Sequence, residues 1–261
     1  MSAPIAVLTG ASGGIGRHIA KQLAARNYRL LLLGRDLKAL ETLQNELPSQ
    51  EQSFHIALQV DLASDADLDR VIELVNDIGR VDLLVNNAGV NTMVPFTSLS
   101  KEQLDATLDV NVRAPMLLVQ GLLPLLERNN GIIVNVGSSF GAIGYPLQAQ
   151  YCASKFALRG FSEALARELS DSSVQVKYFA PRATQTAINT DKVNELNKVL
   201  GNTMDSPEYV AQQFIQLLDS TERRRSVGTK ESFFAKLNAL WPNLVDNALA
   251  KQLATIKQTM R

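Results

Sequence analysis

Ile5-Ala6-Val7-Leu8-Thr9-Gly10-Ala11-Ser12-Gly13-Gly14-Ile15-Gly16 passes from a short apolar run through a glycine-rich turn into a helical pattern that continues to Ala25. An unbroken Val/Ile/Leu run of this length predicts a strand covered on both faces. The glycines permit a tight turn with positive φ and let the backbone approach a ligand with no Cβ in the way. The N–H groups that open the following helix lack intrahelical partners and sit at the positive end of its dipole, which suits a pyrophosphate. The Gly-x-x-x-Gly-x-Gly spacing differs from the more familiar Gly-x-Gly-x-x-Gly, but strand, loop and helix follow in the order that a dinucleotide site needs. Gly10, Ser12, Gly14, Ile15 and Gly16 are the first candidate cofactor contacts.

Further apolar runs occur at Leu30 to Leu33, Phe54 to Val60, Leu83 to Val85, Ile132 to Val136 and Val174 to Phe179. Stretches with helical spacing, such as Leu37 to Leu47 and Leu68 to Ile78, lie between them. Parallel neighbours need crossover connections, so the alternation predicts an α/β fold: a Rossmann-like, doubly wound parallel sheet with helices on both faces. No repeat or low-complexity linker divides the chain. Residues 1–230 are expected to form one dinucleotide-binding and catalytic domain, and 231–261 a helical C-terminal extension broken at Pro242.

The chain has 261 residues, with 26 Lys+Arg against 26 Asp+Glu, so no net field draws it to nucleic acid or an anionic surface. One cysteine, Cys152, closes no intramolecular disulfide, and with only His18 and His55 it makes a poor zinc set. The expectation is no metal. The N-terminal residues lack a basic leader and no stretch approaches the roughly 20 apolar residues of a membrane span, so a cytoplasmic location is expected.

The second predicted strand ends at Leu33-Gly34-Arg35-Asp36. An acidic residue here would bond the ribose 2′-hydroxyl of NAD. Arg35 instead offers a guanidinium to a 2′-phosphate, which favours NADP (NADPH). The competing reading makes Arg35 a solvated residue and Asp36 a helix cap.

Tyr151-Cys152-Ala153-Ser154-Lys155 sets a phenol and an ammonium four residues apart on one helix face. Moving a tyrosine from near 10 toward neutrality requires roughly 4 kcal/mol of phenolate stabilisation, which a lysine and an oxidised nicotinamide would supply together. Ser138 follows the apolar strand thirteen residues before Tyr151, Asn86-Asn87-Ala88-Gly89 closes the fourth strand, and Asn111 lies in the helical segment beyond it. With the glycine loop, these residues resemble the short-chain dehydrogenase/reductase family over roughly the first 220 residues. The resemblance implies hydride transfer between NADPH and a small-molecule carbonyl or alcohol. Tyr151 would be the general acid or base, Lys155 would lower its pKa and bond the nicotinamide ribose, and Ser138 would hydrogen-bond the substrate oxygen. Asn111 would position a water beside Lys155. Asp61 would contact adenine, and Asn87 and Ala88 would line the adenosine side of the groove.

Ser139 is the alternative to Ser138. Cys152 is expected to fill a small helical position, since no nearby histidine activates it. His18 and His55 read as packing or surface residues.

The chain departs from the family after the sixth strand. The segment is Pro181-Arg182-Ala183-Thr184-Gln185-Thr186, with Arg182 where the family has glycine and Thr186 matching the family threonine that touches the nicotinamide. Pro181, Thr184 and Thr186 complete the candidate cofactor set. Arg182 is open to two readings, an attractor of acidic substrates or a solvated surface residue. Arg225 to Lys230 suggests a short seventh strand. Residues 185–201 read as a polar, mobile lid. Phe96, Ile143, Tyr145 and Leu147 suggest an apolar pocket wall and a hydrophobic carbonyl substrate. In the tail, Phe233, Phe234, Leu237, Leu240, Trp241 and Leu244 predict packing within the fold or a homodimer; a roof over the pocket remains open. Lipid contact is disfavoured because Lys236 and Lys251 make a weak polar face. A homodimer or homotetramer is expected, without the usual family tail to specify it. A nucleotide-sensing regulator without turnover is the rival function.

Overall fold

The apolar runs become parallel strands of one sheet: β1 Ile5–Thr9, β2 Arg29–Gly34, β3 Ile56–Gln59, β4 Leu83–Asn86, β5 Ile132–Val136, β6 Gln175–Ala180 and β7 Arg224–Ser226. The computed structural model describes residues 3–48 and 54–260. The strand order is β3-β2-β1-β4-β5-β6-β7. The helices are α1 Gly14–Ala24, α2 Leu37–Glu46, α3 Asp65–Ile78, α4 Lys101–Leu108, α5 Ala114–Arg128, α6 Ala149–Glu168, α7 Asp191–Val199, α8 Pro207–Leu218, α9 Thr229–Leu240 and α10 Pro242–Thr259.

Successive strand residues enter opposite cores, which is why the strands read as runs rather than alternations. Ala6 and Leu8 pack with Ile19 and Leu23 of α1, Leu40 of α2 and Phe214 of α8. Ile5 and Val7 pack with Val71 of α3, Leu118 of α5 and Leu165 of α6. The helix starts follow local chemistry. Asp36 accepts the Ala39 N–H at 3.0 Å and caps α2, while Ser100 and Gln103 form a reciprocal capping box on α4. α1 starts differently: Gly13 precedes it and no side chain caps it. Its first amides are left for the cavity at the carboxyl edge of the sheet, beside the β1/β4 switch point.

Three expectations change. β3 is shorter than the apolar run, with Phe54 exposed and His55 just before the strand; His55 Nδ1 accepts the Leu30 N–H at 3.1 Å. β7 ends at Ser226, because Gly228 takes φ +96° and turns the chain into α9. The predicted polar lid contains α7, whose Val193 and Leu196 are buried in a cluster with Met93 and Ile256 of α10. Among the described residues no helix is long and apolar enough to cross a membrane.

The tail does not bury its aromatic row on the body. Phe233, Leu240, Trp241 and Leu244 are each more than half exposed, while Val245 and Ile256 turn inward. Asn238 Nδ2 donates to the Ala142 carbonyl at 3.0 Å, fastening α9 beside the loop that follows β5.

Candidate active site

A cavity of about 930 Å³ runs along the carboxyl ends of the strands, and all the predicted cofactor positions line it. Gly10, Ser12, Gly14, Ile15 and Gly16 form one wall. Gly10 takes φ +64°, and a Cβ there would lie 2.9 Å from Ala88 Cα. A Cβ on Gly16 would run into the Gly10 carbonyl oxygen. Gly16→Ala is expected to weaken dinucleotide binding on the order of tenfold and to lower stability by about 1 to 3 kcal/mol, read by cofactor titration and urea unfolding.

Asn87 holds this loop rather than simply lining a groove. Its Nδ2 donates to the Thr9 carbonyl at 2.9 Å and the Gly10 carbonyl at 3.2 Å, and the Thr9 hydroxyl accepts the Asn87 and Ala88 N–H groups, both at 3.0 Å. Arg35 and Asp61 line the far end of the cavity. The Asp36 cap expected under the competing reading is present. The Arg35 backbone carbonyl accepts from Gln59 Nε2 at 3.0 Å. Asp61 braces its own turn by accepting the Ala63 N–H at 3.0 Å.

At the other end Ser138, Tyr151 and Lys155 line the same cavity, as does Ser139. The end of β5 presents Ser138, and α6 carries Tyr151 and Lys155 one turn apart. Lys155 Nζ donates to the Val136 carbonyl at 3.0 Å and stands 5.8 Å from the centre of the Tyr151 ring. Burial with no acidic partner pulls the Lys155 ammonium down to about 8. The Tyr151 phenol departs from the sequence expectation. Burial pushes it up to about 12, with the Ser138 hydrogen bond acting in the opposite direction. Enclosure disfavours the phenolate, and Lys155 is aimed at the strand carbonyl rather than the phenol oxygen.

Asn111 does not directly line the cavity but backs it, in a π-helical turn, Asp109–Arg113, between α4 and α5. Its Oδ1 accepts the Val90 N–H at 2.8 Å, and its Nδ2 donates to the Val90 carbonyl at 2.9 Å and to Ser154 Oγ at 3.0 Å. A Cβ on Gly89 would lie 3.4 Å from both Asn111 Oδ1 and Lys155 Nζ, so these two groups flank Gly89. Cys152 is buried, its Sγ accepts the Tyr145 N–H at 3.3 Å, and burial pushes its thiol up. It fills space, as expected.

Pro181, Thr184 and Thr186 also line the cavity. The Thr184 hydroxyl donates to the Arg182 carbonyl at 2.9 Å, and a Cβ on Gly14 would lie 2.6 Å from Thr186 Cγ2. Neither reading of Arg182 holds. Its Nε and Nη2 grip the two Asp205 oxygens at 2.8 and 2.7 Å, and its Nη1 reaches Glu231 Oε2 at 3.4 Å. Asp205 and Glu231 were not anticipated, since pairs 23 and 49 residues apart leave no periodic trace.

The pocket wall also differs in part. Ile143 and Tyr145 line it, whereas Phe96 is exposed elsewhere and Leu147 packs into the cluster beneath α7. Sequence reading missed Tyr178, an aromatic in β6 whose hydroxyl is enclosed and whose phenol burial pushes up to about 12. It occupies the space that side chains on Gly137 and Gly141 would need, directly behind the Ser138 turn.

A cradle that admits no Cβ at Gly10 or Gly16, an uncapped helix start and a long groove fit a dinucleotide. Residues 4–197 match the family described as short chain dehydrogenase. The chain is 34% identical over 221 residues to a Bos taurus 3-oxoacyl-[acyl-carrier-protein] reductase, covering 83% of this chain and 91% of that one. It resembles a short-chain dehydrogenase from Sphingobium yanoikuyae in complex with NADPH, at 27% identity and TM-score 0.78, over 93% of this chain and 96% of that one. A short-chain dehydrogenase from Streptomyces avermitilis matches at 25% identity and TM-score 0.80 over 99% of both chains. The chain therefore belongs to the short-chain dehydrogenases, as a nicotinamide-dependent enzyme of the dehydrogenase/reductase class acting on alcohol or carbonyl groups.

Proposed function

We propose that the protein reduces the carbonyl of a small organic molecule to an alcohol with NADPH, or runs the reverse reaction. The observation that carries this reading is the shared cavity: Ser138, Tyr151 and Lys155 at one end, the glycine cradle along its length and Arg35 at the other end. NADPH, when bound, supplies the hydride. Ser138 donates a hydrogen bond to the substrate oxygen, where negative charge grows as the carbonyl carbon is reduced. Tyr151 gives that oxygen its proton, and a phenol held near 12 keeps the proton until it is needed. The Lys155 ammonium orients the cofactor ribose and stabilises the phenolate left behind. Asn111 fixes the backbone beside Lys155 and helps return a proton through water.

Arg35 holds the 2′-phosphate in this reading, and Asp61, Asn87 and Ala88 the adenosine side. Arg35→Ser is expected to raise the dissociation constant of NADPH about tenfold to a hundredfold with little change for NADH. Parallel fluorescence titrations check it; equal constants for the two cofactors in the parent would remove the NADP assignment. The exposed Phe233, Trp241 and Leu244 support a homodimer or homotetramer, which light scattering measures. The test of the whole reading is loss of NADPH absorbance against a panel of aldehydes, ketones and quinones. Tight NADPH binding without turnover of any of them would leave the regulator instead.

A further inference from the structure

We propose that the C-terminal hairpin α9–α10 roofs a chamber built for an uncharged, elongated hydrophobic carbonyl compound, and that this roof selects the substrate. The inference rests on the carbonyl-reductase reading above and names the substrate class of that site. Phe234 of α9 and Val245, Ala248, Leu249 and Gln252 of α10 line the cavity that holds Tyr151. Beside them, α7 and the segment before it contribute Ile188, Val193 and Leu196. The loop after β5 adds Ile143 and Tyr145. The lining contributed by residues 140–148, 187–197 and 234–252 contains no charged side chain; its polar groups are neutral, with Gln148, Asn197 and Gln252 among them.

The nearest guanidinium is already committed. Arg182 is held by both Asp205 oxygens, with Glu231 at the first turn of α9 as its third oxygen. Lys230 and Glu231 enter the lining together, so the base of the roof offers no surplus of positive charge. A substrate carboxylate or phosphate carried into this chamber would lose its hydration without gaining a counter-ion. An alkyl chain would instead replace water along the apolar walls, at about three- to fourfold in affinity per methylene.

α10 reaches the chamber through a seam that is itself apolar. Ile256 is buried with Val193, Leu196 and Met93, so lid and roof meet as one wall. The roof's outer positions tolerate change, because Ala248 and Gln252 each keep substantial surface open to solvent.

The test compares kcat/KM for 2-pentanone, 2-undecanone and 10-oxoundecanoate, the last being the long ketone with a terminal carboxylate. The parent enzyme is expected to favour 2-undecanone over each of the others by roughly tenfold or more. Gln252→Lys should raise the ratio of oxo-acid to long ketone about tenfold, and Ala248→Trp should lower the ratio of long to short ketone by a similar factor. Circular dichroism confirms that both variants are folded. Equal use of the three compounds, a preference for the oxo-acid, or ratios unmoved by either substitution would overturn the roof while leaving the reductase reading intact. Failure of the parent to turn over any carbonyl compound while binding NADPH would remove both.

Discussion

Tyr151→Phe is expected to cut kcat for carbonyl reduction by about a hundredfold to ten-thousandfold while leaving NADPH binding within twofold or so of the parent. The substitution removes the transferable proton and keeps the ring that stacks edge-on to Phe140 at 6.5 Å between centroids. Stopped-flow and steady-state rates with one ketone, beside a cofactor titration, measure both halves. A variant that reduced the ketone as fast as the parent would remove Tyr151 as the proton donor. The pH profile is a companion expectation. Lys155 loses its proton near 8, whereas the phenol retains its own to about 12. The kcat/KM for reduction should therefore hold level through neutrality and fall above about pH 8, as the ammonium is neutralised.

Arg182→Leu carries the second large effect, on stability. Asp205 is 8% exposed, so removing its bidentate partner leaves a carboxylate enclosed without compensation. The expected loss is about 3 kcal/mol, in the range found when one member of a buried pair is deleted. Arg182→Leu combined with Asp205→Leu should recover part of it, because the orphaned charge is then gone too. Urea unfolding of the two variants and the parent decides the point; single and double variants of equal stability would show that the pair is not the source of the loss. Glu231 ties the same cluster to α9, so the single variant should also loosen the hairpin, read as faster amide exchange over residues 229–240.

The parts of this molecule that were readable beforehand share one property: their signals are local. A strand, a glycine turn and a helix start are adjacent in sequence, and the i, i+4 spacing of Tyr151 and Lys155 is set by helix geometry. Ser138 was readable because it follows an apolar run that had to be a strand. Arg182 was not, because its meaning depends on Asp205 and Glu231, whose distances along the chain follow no period. Lys177 is a similar case. It interrupts the apolar run of β6 yet is fully buried, because its ammonium donates to the Leu217 and Leu218 carbonyls at 2.9 and 3.2 Å and so closes the end of α8. Helical spacing in the tail predicted helices but was silent on orientation, since the same apolar stripe fits a body, a roof or a partner. The raised Tyr151 pKa was missed for a related reason. Spacing placed the lysine near the ring, but the direction of its Nζ toward Val136 is set by tertiary packing.

The pairing of β1 with β4 has a consequence for synthesis. Ala6 ends beside Leu83, and everything between them builds the opposite half of the sheet first. While the nascent chain is leaving the ribosome, β1 is a bare apolar margin that stays open until the fourth strand emerges to cover it. Chaperone demand should peak in that interval and decline once residues 83–86 are available.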